Sequence, residues 1–329
     1  MSLQSKCQGC IFGAWVGDAC GAVLEFKGRP SKSALESALT LPGGGVHGVG
    51  PGQITDDGEL TISLLYGLVN GEGYLNLNKI AVSYSNWFLS RPFDIGNTLR
   101  KSIPKACNMQ THQAELMRRG SRLAESSQSN GCLMKISPLA VWCRNLSSEE
   151  TFRAVWEEVG LTHPNATVRI ACAFYVIVIG WLLKGEIRES AYQRSKEFIL
   201  TKANEEIRNW LIEIERENCE LLVHKPAGWV KIAFVYGMRY LLLGLSYAQA
   251  ISEIMSQGGD TDTNACIIGA LIGAADGLEG IPREMVEKVV SWDPAKGGIR
   301  RPKFLQVKEN LHLIDRLIMV SPDTLTIIG

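Results

Sequence analysis

The stretch Gly258-Gly259-Asp260-Thr261-Asp262-Thr263-Asn264 runs directly into Ala265-Cys266-Ile267-Ile268-Gly269-Ala270-Leu271-Ile272-Gly273, and its reading decides the fold. Two glycines permit tight backbone geometry, short polar residues favour a helix entrance, and an apolar helix follows. One aspartate at such an entrance is explained by the free N–H groups and dipole of the helix. A second is not. Carboxylates and hydroxyls packed this densely repel unless a cation lies between them, and an all-oxygen set suits magnesium, manganese or calcium. On this stretch alone, capping and cation binding are equally good accounts.

The construction occurs twice. Ile54-Thr55-Asp56-Asp57-Gly58-Glu59 follows a Gly/Pro-rich approach, Pro42-Gly43-Gly44-Gly45 and then Gly50-Pro51-Gly52, and precedes another apolar segment, residues 60–69. Again a loop delivers a hydroxyl and adjacent acids to a helix start. Four aspartates and two threonines could hold two divalent ions, since each carboxylate ligates terminally or bridges. Small residues suggest how the two places meet. Gly9, Gly13, Gly17 and Gly21 recur every four residues, as do Gly269, Gly273 and Gly277. Each set forms a helix face without side chains, against which another backbone can pack closely. The two helices are expected at the buried centre, the face of one against the other, which brings chain start and chain end to one site. Asp18 interrupts the first helix and Glu25 follows it. On the residues alone, Glu25 is either a helix-end acid turned to solvent or a buried charge with a partner.

Elsewhere apolar residues recur at helical spacing over 60–69, 77–89, 98–106, 114–126, 139–144, 148–160, 167–183, 189–217, 227–243, 247–255, 283–290 and 305–318, and strand-like alternation is nearly absent. The class is all-α, a compact orthogonal helical bundle. Motifs near both ends that need each other argue for one domain over 1–329. With 329 residues and 46% hydrophobic content, a sizeable core is available. The formal charge of zero gives no nucleic-acid or membrane-surface footprint. The longest apolar run, 170–183, is short of the roughly 20 residues of a membrane span and reads as a buried core helix. The N-terminus makes a poor secretory signal, and the nine cysteines read as reduced residues of a cytoplasmic protein. The Cys7-Gln8-Gly9-Cys10 pair lacks the further ligands of a zinc set.

The loops carry the remaining polar features. Arg91-Pro92-Phe93-Asp94-Ile95-Gly96-Asn97-Thr98 is a turn into a helix, where Asp94 or Asn97 can serve as a cap. Ser126-Ser127-Gln128-Ser129-Asn130-Gly131 reads as a surface turn, or as a loop offering N–H groups to phosphate, though it matches no P-loop pattern. Leu161-Thr162-His163-Pro164 sets a histidine at a helix start, a structural hydrogen-bonding residue or a ligand. Arg300-Arg301-Pro302-Lys303 reads as a solvated turn.

Taken in order, Gly17-Asp18 with Glu25, Thr55-Asp56-Asp57, Asp94-Ile95-Gly96-Asn97-Thr98, Asn130-Gly131 with Met134, Thr162-His163-Pro164 and Gly258-Gly259-Asp260-Thr261-Asp262-Thr263 closely resemble the ADP-ribosylglycohydrolase family over about residues 6–300. The resemblance implies an all-α bundle with a central cleft that binds ADP-ribose over two magnesium or manganese ions. It implies Thr55, Asp56, Asp57, Asp260, Asp262 and Thr263 as ligands, with Asp18 in support. Glu25 becomes a catalytic candidate and Asp94 an acid near the scissile bond. Ser127, Asn130, Gly131 and His163 become ADP-ribose contacts.

The implied substrate is an ADP-ribosylated protein or a small molecule containing ADP-ribose, with a monomer the expected state. The alternatives are a family-like protein that binds ADP-ribose without hydrolysis, or a two-metal phosphohydrolase. Three departures stand out. Gly58-Glu59 replaces the usual threonine after the Asp pair, which leaves a looser helix start or an acid near the site. Lys135 replaces arginine after Met134. Gln128 stands where some members place an aromatic residue against adenine. The Asp94 segment looks like the arginine-specific branch, since an acid there can pair with a guanidinium.

Overall fold

The computed structural model describes every residue except Glu220 and His224. The chain is helical, as expected. Strand structure among the described residues is limited to the two-residue pair Leu75–Asn76 and Ile327–Ile328 and to isolated bridges.

At the centre, the Leu3–Gly21 and Thr261–Asp276 helices lie antiparallel with their glycine faces in contact. A methyl placed on Gly9 would stand 2.3 Å from the Gly273 carbonyl oxygen, and one on Gly13 would stand 2.1 Å from that of Gly269. The match continues at Gly17 with Ala265 and at Gly21 with Thr261. Four-residue spacing on both partners therefore brings backbone against backbone along the whole crossing, as the sequence suggests. Neighbouring helices lock this pair from outside. Tyr247 donates to the Gly13 carbonyl at 2.8 Å and Tyr175 to the Ile267 carbonyl at 2.6 Å. The end of the first helix is thereby fixed beside the start of the other.

Ala166–Leu183 spans the core next to this pair. Its 18 residues, with mean hydropathy 2.0, reach membrane-spanning length, longer than the apolar run alone suggests, and 78% of them are buried inside the protein. Cys7 and Cys10 are buried in the first helix as free thiols, and burial pushes the Cys7 thiol up to about 11. Both belong to the packing.

Some boundaries differ from the periodic pattern. The expected helix over 189–217 is two helices, Arg188–Ile199 and Glu205–Glu215, because the Asn204 side chain accepts from the Ile207 N–H and starts a new helix. The segment 305–318 divides into Val307–Asn310 and His312–Met319, and the helix expected from residue 98 runs Asn97–Ser102. Arg301 is no solvated residue. It is 5% exposed, with its guanidinium on both Glu59 oxygens at 2.7 and 2.9 Å and on the Ser90 and Arg91 carbonyls. A charge cluster in a Gly/Pro-rich turn gives no sign of the acid it will meet 242 residues away.

Candidate metal and substrate cleft

The two acidic stretches meet through Asp18. Its carboxylate accepts the Thr55 hydroxyl at 2.7 Å, the Thr55 N–H at 2.9 Å and the Gly58 N–H at 2.8 Å. The first turn of the Asp56–Val69 helix is thus satisfied by an acid from another helix, and neither Asp56 nor Asp57 is needed as a cap. Gly58 has a steric reason. A methyl there would stand 2.7 Å from Asp18 Oδ2. Glu59 turns away from the cleft to Arg301 and to the Trp87 indole N–H at 2.8 Å, so it does not join the site.

The second stretch docks on the residues after the first helix. Gly258 and Gly259 have φ of +71° and +84°, which only glycine adopts easily. The Phe26 N–H donates to the Gly259 carbonyl at 3.0 Å, which ties Glu25 to the Asp260 turn. Thr261 donates to the Gly21 carbonyl at 2.7 Å, a structural bond, while the Asn130 amide donates to Asp260 Oδ2 at 2.8 Å.

These contacts surround a cleft of about 470 Å³ lined by Glu25, Asp56, Asp57, Asp94, Asp260, Asp262 and Thr263 on one side and by Ser127, Ser129, Asn130, Gly131 and His163 on the other. The cleft brings together all the expected residues except Thr55 and Asp18, which support its floor from behind. A larger cavity of about 630 Å³ near Tyr66 and Phe304 has Lys79 as its only charged lining residue and none of this chemistry.

The acids are crowded. Carboxylate oxygens of Asp18, Asp57 and Asp262 lie within 4.8 Å of one another, as do those of Glu25, Asp260 and Asp262. Burial pushes the Asp56, Asp57 and Asp262 carboxyls well above the usual range, and mutual repulsion adds to it. Burial, then Asp94 and Asp260, raises Glu25 to about 8; burial raises Asp18 to about 7 against its hydrogen bonds from Thr55 and Gly58. No described lysine or arginine lines the cleft to offset this charge. Asp57 Oδ1 is buried without a hydrogen-bond partner. An all-oxygen donor set with an orphaned carboxylate oxygen fits hard divalent cations.

The opposite wall is a chain of hydroxyls. Ser127 and Thr98 lie 2.7 Å apart, Ser129 bonds Thr98 at 2.9 Å, and Ser129 lies 3.1 Å from His163 Nε2. His163 is buried, and burial with the nearby Lys135 charge lowers its pKa to about 3, so it faces the cleft as a neutral ring. Lys135 does not line the cleft; it is buried against Glu158 and Tyr84. Gln128 is likewise committed, accepting from the Trp229 indole at 2.8 Å and donating to Glu206.

Asp94 does not cap the helix that follows, whose N-cap is Gly96; its Oδ1 accepts from the adjacent Ile95 N–H. The sequence reading missed Ser129, Ala227, Gly228 and His47. The first belonged to a loop already singled out. His47 carried no motif: it sits between glycines in a loop read only as an approach, and the fold places it at Glu25 and Asp94.

Comparison with known proteins identifies the family. A protein of Acanthamoeba polyphaga mimivirus named as an ADP-ribosyl glycohydrolase is 30% identical over 293 residues, covering 83% of this chain and 87% of its own. The ADP-ribosyl-dinitrogen reductase glycohydrolase of Rhodospirillum rubrum is 27% identical, covering 88% and 91%. The ADP-ribosylarginine hydrolase of Serratia proteamaculans is 24% identical, covering 88% and 76%. A solved ADP-ribosylglycohydrolase-related protein complex shares the fold with a TM-score of 0.76 at 20% identity, over 97% of this chain and 99% of that one. The family model for ADP-ribosylglycohydrolases matches residues 1–321, and the chain belongs to that family.

Proposed function

We propose that this enzyme removes ADP-ribose from arginine side chains in a reaction that depends on two magnesium or manganese ions. Family membership makes it an ADP-ribosyl-acceptor glycohydrolase. The single observation that carries the finer reading is the cleft itself: six carboxylates without a lining cation, opposite a wall of hydroxyls and amides.

Asp56, Asp57, Asp260 and Asp262, with Thr55 and Thr263, would hold the ions. When bound, the ions would fix the ribose hydroxyls and lower the pKa of a coordinated water. Asp18 keeps Thr55 and the Asp56 turn in register. Ser127, Ser129, Asn130 and Gly131 suit the phosphates and ribose, which would meet polar groups and N–H donors rather than fixed positive charge. The neutral His163 ring, with Nε2 at Ser129 and Nδ1 at Thr162, orients the hydroxyl wall without adding a charge.

The bond to be cut joins the anomeric carbon to the acceptor, and its cleavage passes through an oxocarbenium-like state. Glu25, buried at the cation end, guides the attacking water and takes its proton. Neighbouring cations would lower its carboxyl from about 8 and make it a competent base. The Asp94 side chain is 30% exposed, so it can face an incoming guanidinium and orient the leaving group.

The test is release of free ADP-ribose from matched arginine-linked and serine-linked peptides, with magnesium or manganese and then with EDTA. Metal-dependent release from the arginine linkage alone is the expected outcome. Release from serine only would refute the acceptor. Inorganic phosphate as the product would indicate ester hydrolysis, and bound metal with no product would leave a binding protein.

A further inference from the structure

The loop between Pro42 and Gly52 is a built element. Gly44 and Val49 exchange two backbone hydrogen bonds, at 2.7 and 2.9 Å, and the turn between them presents Val46 and His47. Its base packs directly on the end of the first helix, since a methyl on Gly45 would stand 2.2 Å from the Ala22 carbonyl. Phe93 supports the His47 ring with centroids 5.6 Å apart. This loop holds the imidazole over the two candidate catalytic acids.

His47 Nε2 lies 3.1 Å from Glu25 Oε2 and 3.5 Å from Asp94 Oδ2. Yet Glu25 Oε2 and His47 Nε2 are both buried atoms without a hydrogen-bond partner, and Glu25 is only 2% exposed. Besides this ion-pair contact neither atom has a partner of hydrogen-bond geometry, so both remain available to a shared cation. The edge of a coordination tetrahedron with bonds of about 2.0 Å is about 3.3 Å, between the two observed spacings. The donors are one imidazole and two carboxylates, a set that suits zinc and that magnesium avoids.

We propose that Glu25, His47 and Asp94 form a third cation site, separate from the all-oxygen pair, that takes a zinc-class ion with an open fourth position. Charge favours it: the six cleft carboxylates exceed two divalent ions by two negative charges, and a third divalent ion balances them. Occupancy ties the loop across the cleft and claims an oxygen from each candidate catalytic acid. It therefore inhibits hydrolysis, a consequence that rests on the proposed function, whereas the binding itself does not.

The experiment is a zinc titration of the full chain in a large excess of magnesium, compared with His47→Gln, with X-ray absorption of the zinc-loaded protein. The expected result is one more zinc ion per chain in the wild type than in the variant, or binding about tenfold tighter or more. Imidazole scattering should be present in the wild type and absent in His47→Gln, while the magnesium-induced rise in Tm is the same in both. Equal zinc stoichiometry and affinity in the two proteins would overturn the proposal. So would a zinc shell of oxygen alone in the wild type, a readout that stands even if the variant does not fold. A zinc difference without any ADP-ribose release would retain this site and refute the hydrolase reading.

Discussion

Glu25 owes its chemistry to position: apolar neighbours, a backbone bond from the next residue to Gly259, and acids on two sides. The change Glu25→Gln keeps shape and removes the proposed base, so turnover should fall about a hundredfold or more while calorimetry still shows the proposed pair of cations bound. Near-normal turnover would exclude the water-guiding role. Lys135 makes the opposite case, a buried charge serving the fold. It is fully enclosed with Glu158 and Tyr84, and the change to methionine leaves an unpaired buried carboxylate. Lys135→Met should destabilise the protein by about 3–5 kcal/mol in urea unfolding, and adding Glu158→Gln should restore part of that loss.

The decisive element is the antiparallel glycine-faced pair. A methyl on Gly13 would be driven to 2.1 Å from a carbonyl oxygen on a partner helix that Tyr247 and Tyr175 hold from outside. Gly13→Ala should therefore cost several kcal/mol, or separate the helices and loosen the cleft. Circular dichroism melts and cation affinity should fall together, since Asp18, Glu25 and Asp260 all depend on this crossing. Gly180, on a core helix with open space around its Cβ, is the control: the same change there should be neutral or mildly stabilising.

For the whole molecule, the proposed cation binding among the buried acids should make stability depend on magnesium or manganese. At magnesium about a hundredfold above Kd, the folded state should gain about 2.7 kcal/mol per bound ion, which for a chain of this length is about 4 °C in Tm. Asp262→Asn should remove that gain and melt higher than the wild type in EDTA, because it relieves repulsion among Asp57, Glu25 and Asp260. A lower Tm for this variant in EDTA would show that the acids are not strained against one another.

Two buried groups pull the pH dependence of stability in opposite directions. His163, lowered from 6.5 to about 3, holds its full contribution above about 6.5 and loses it as pH falls towards 3, because the unfolded chain takes up the proton first. Asp18, raised from 3.8 to about 7, acts in the opposite sense: stability falls as pH rises from about 4 to 7, where the unfolded chain releases a proton that the fold retains. For unfolding in EDTA the two contributions largely offset each other between about pH 4 and 6.5, so His163→Gln should unmask a fall in stability as pH rises through that window.

The helical class, the glycine-faced pair, the two acid-bearing helix entrances and the family were legible in the residues, because spacing and local chemistry are properties of sequence. The division of labour among the acids was not. Asp18 and Asp56 look alike in the chain, yet one caps a helix across 37 residues and the other faces the cleft. Glu59 was drawn from the site by Arg301, the Gln128 side chain by Trp229 and Glu206, and His47 was brought to Glu25 from a loop without a motif. Each outcome depends on which distant partner satisfies a buried polar group, and only the tertiary structure selects that partner.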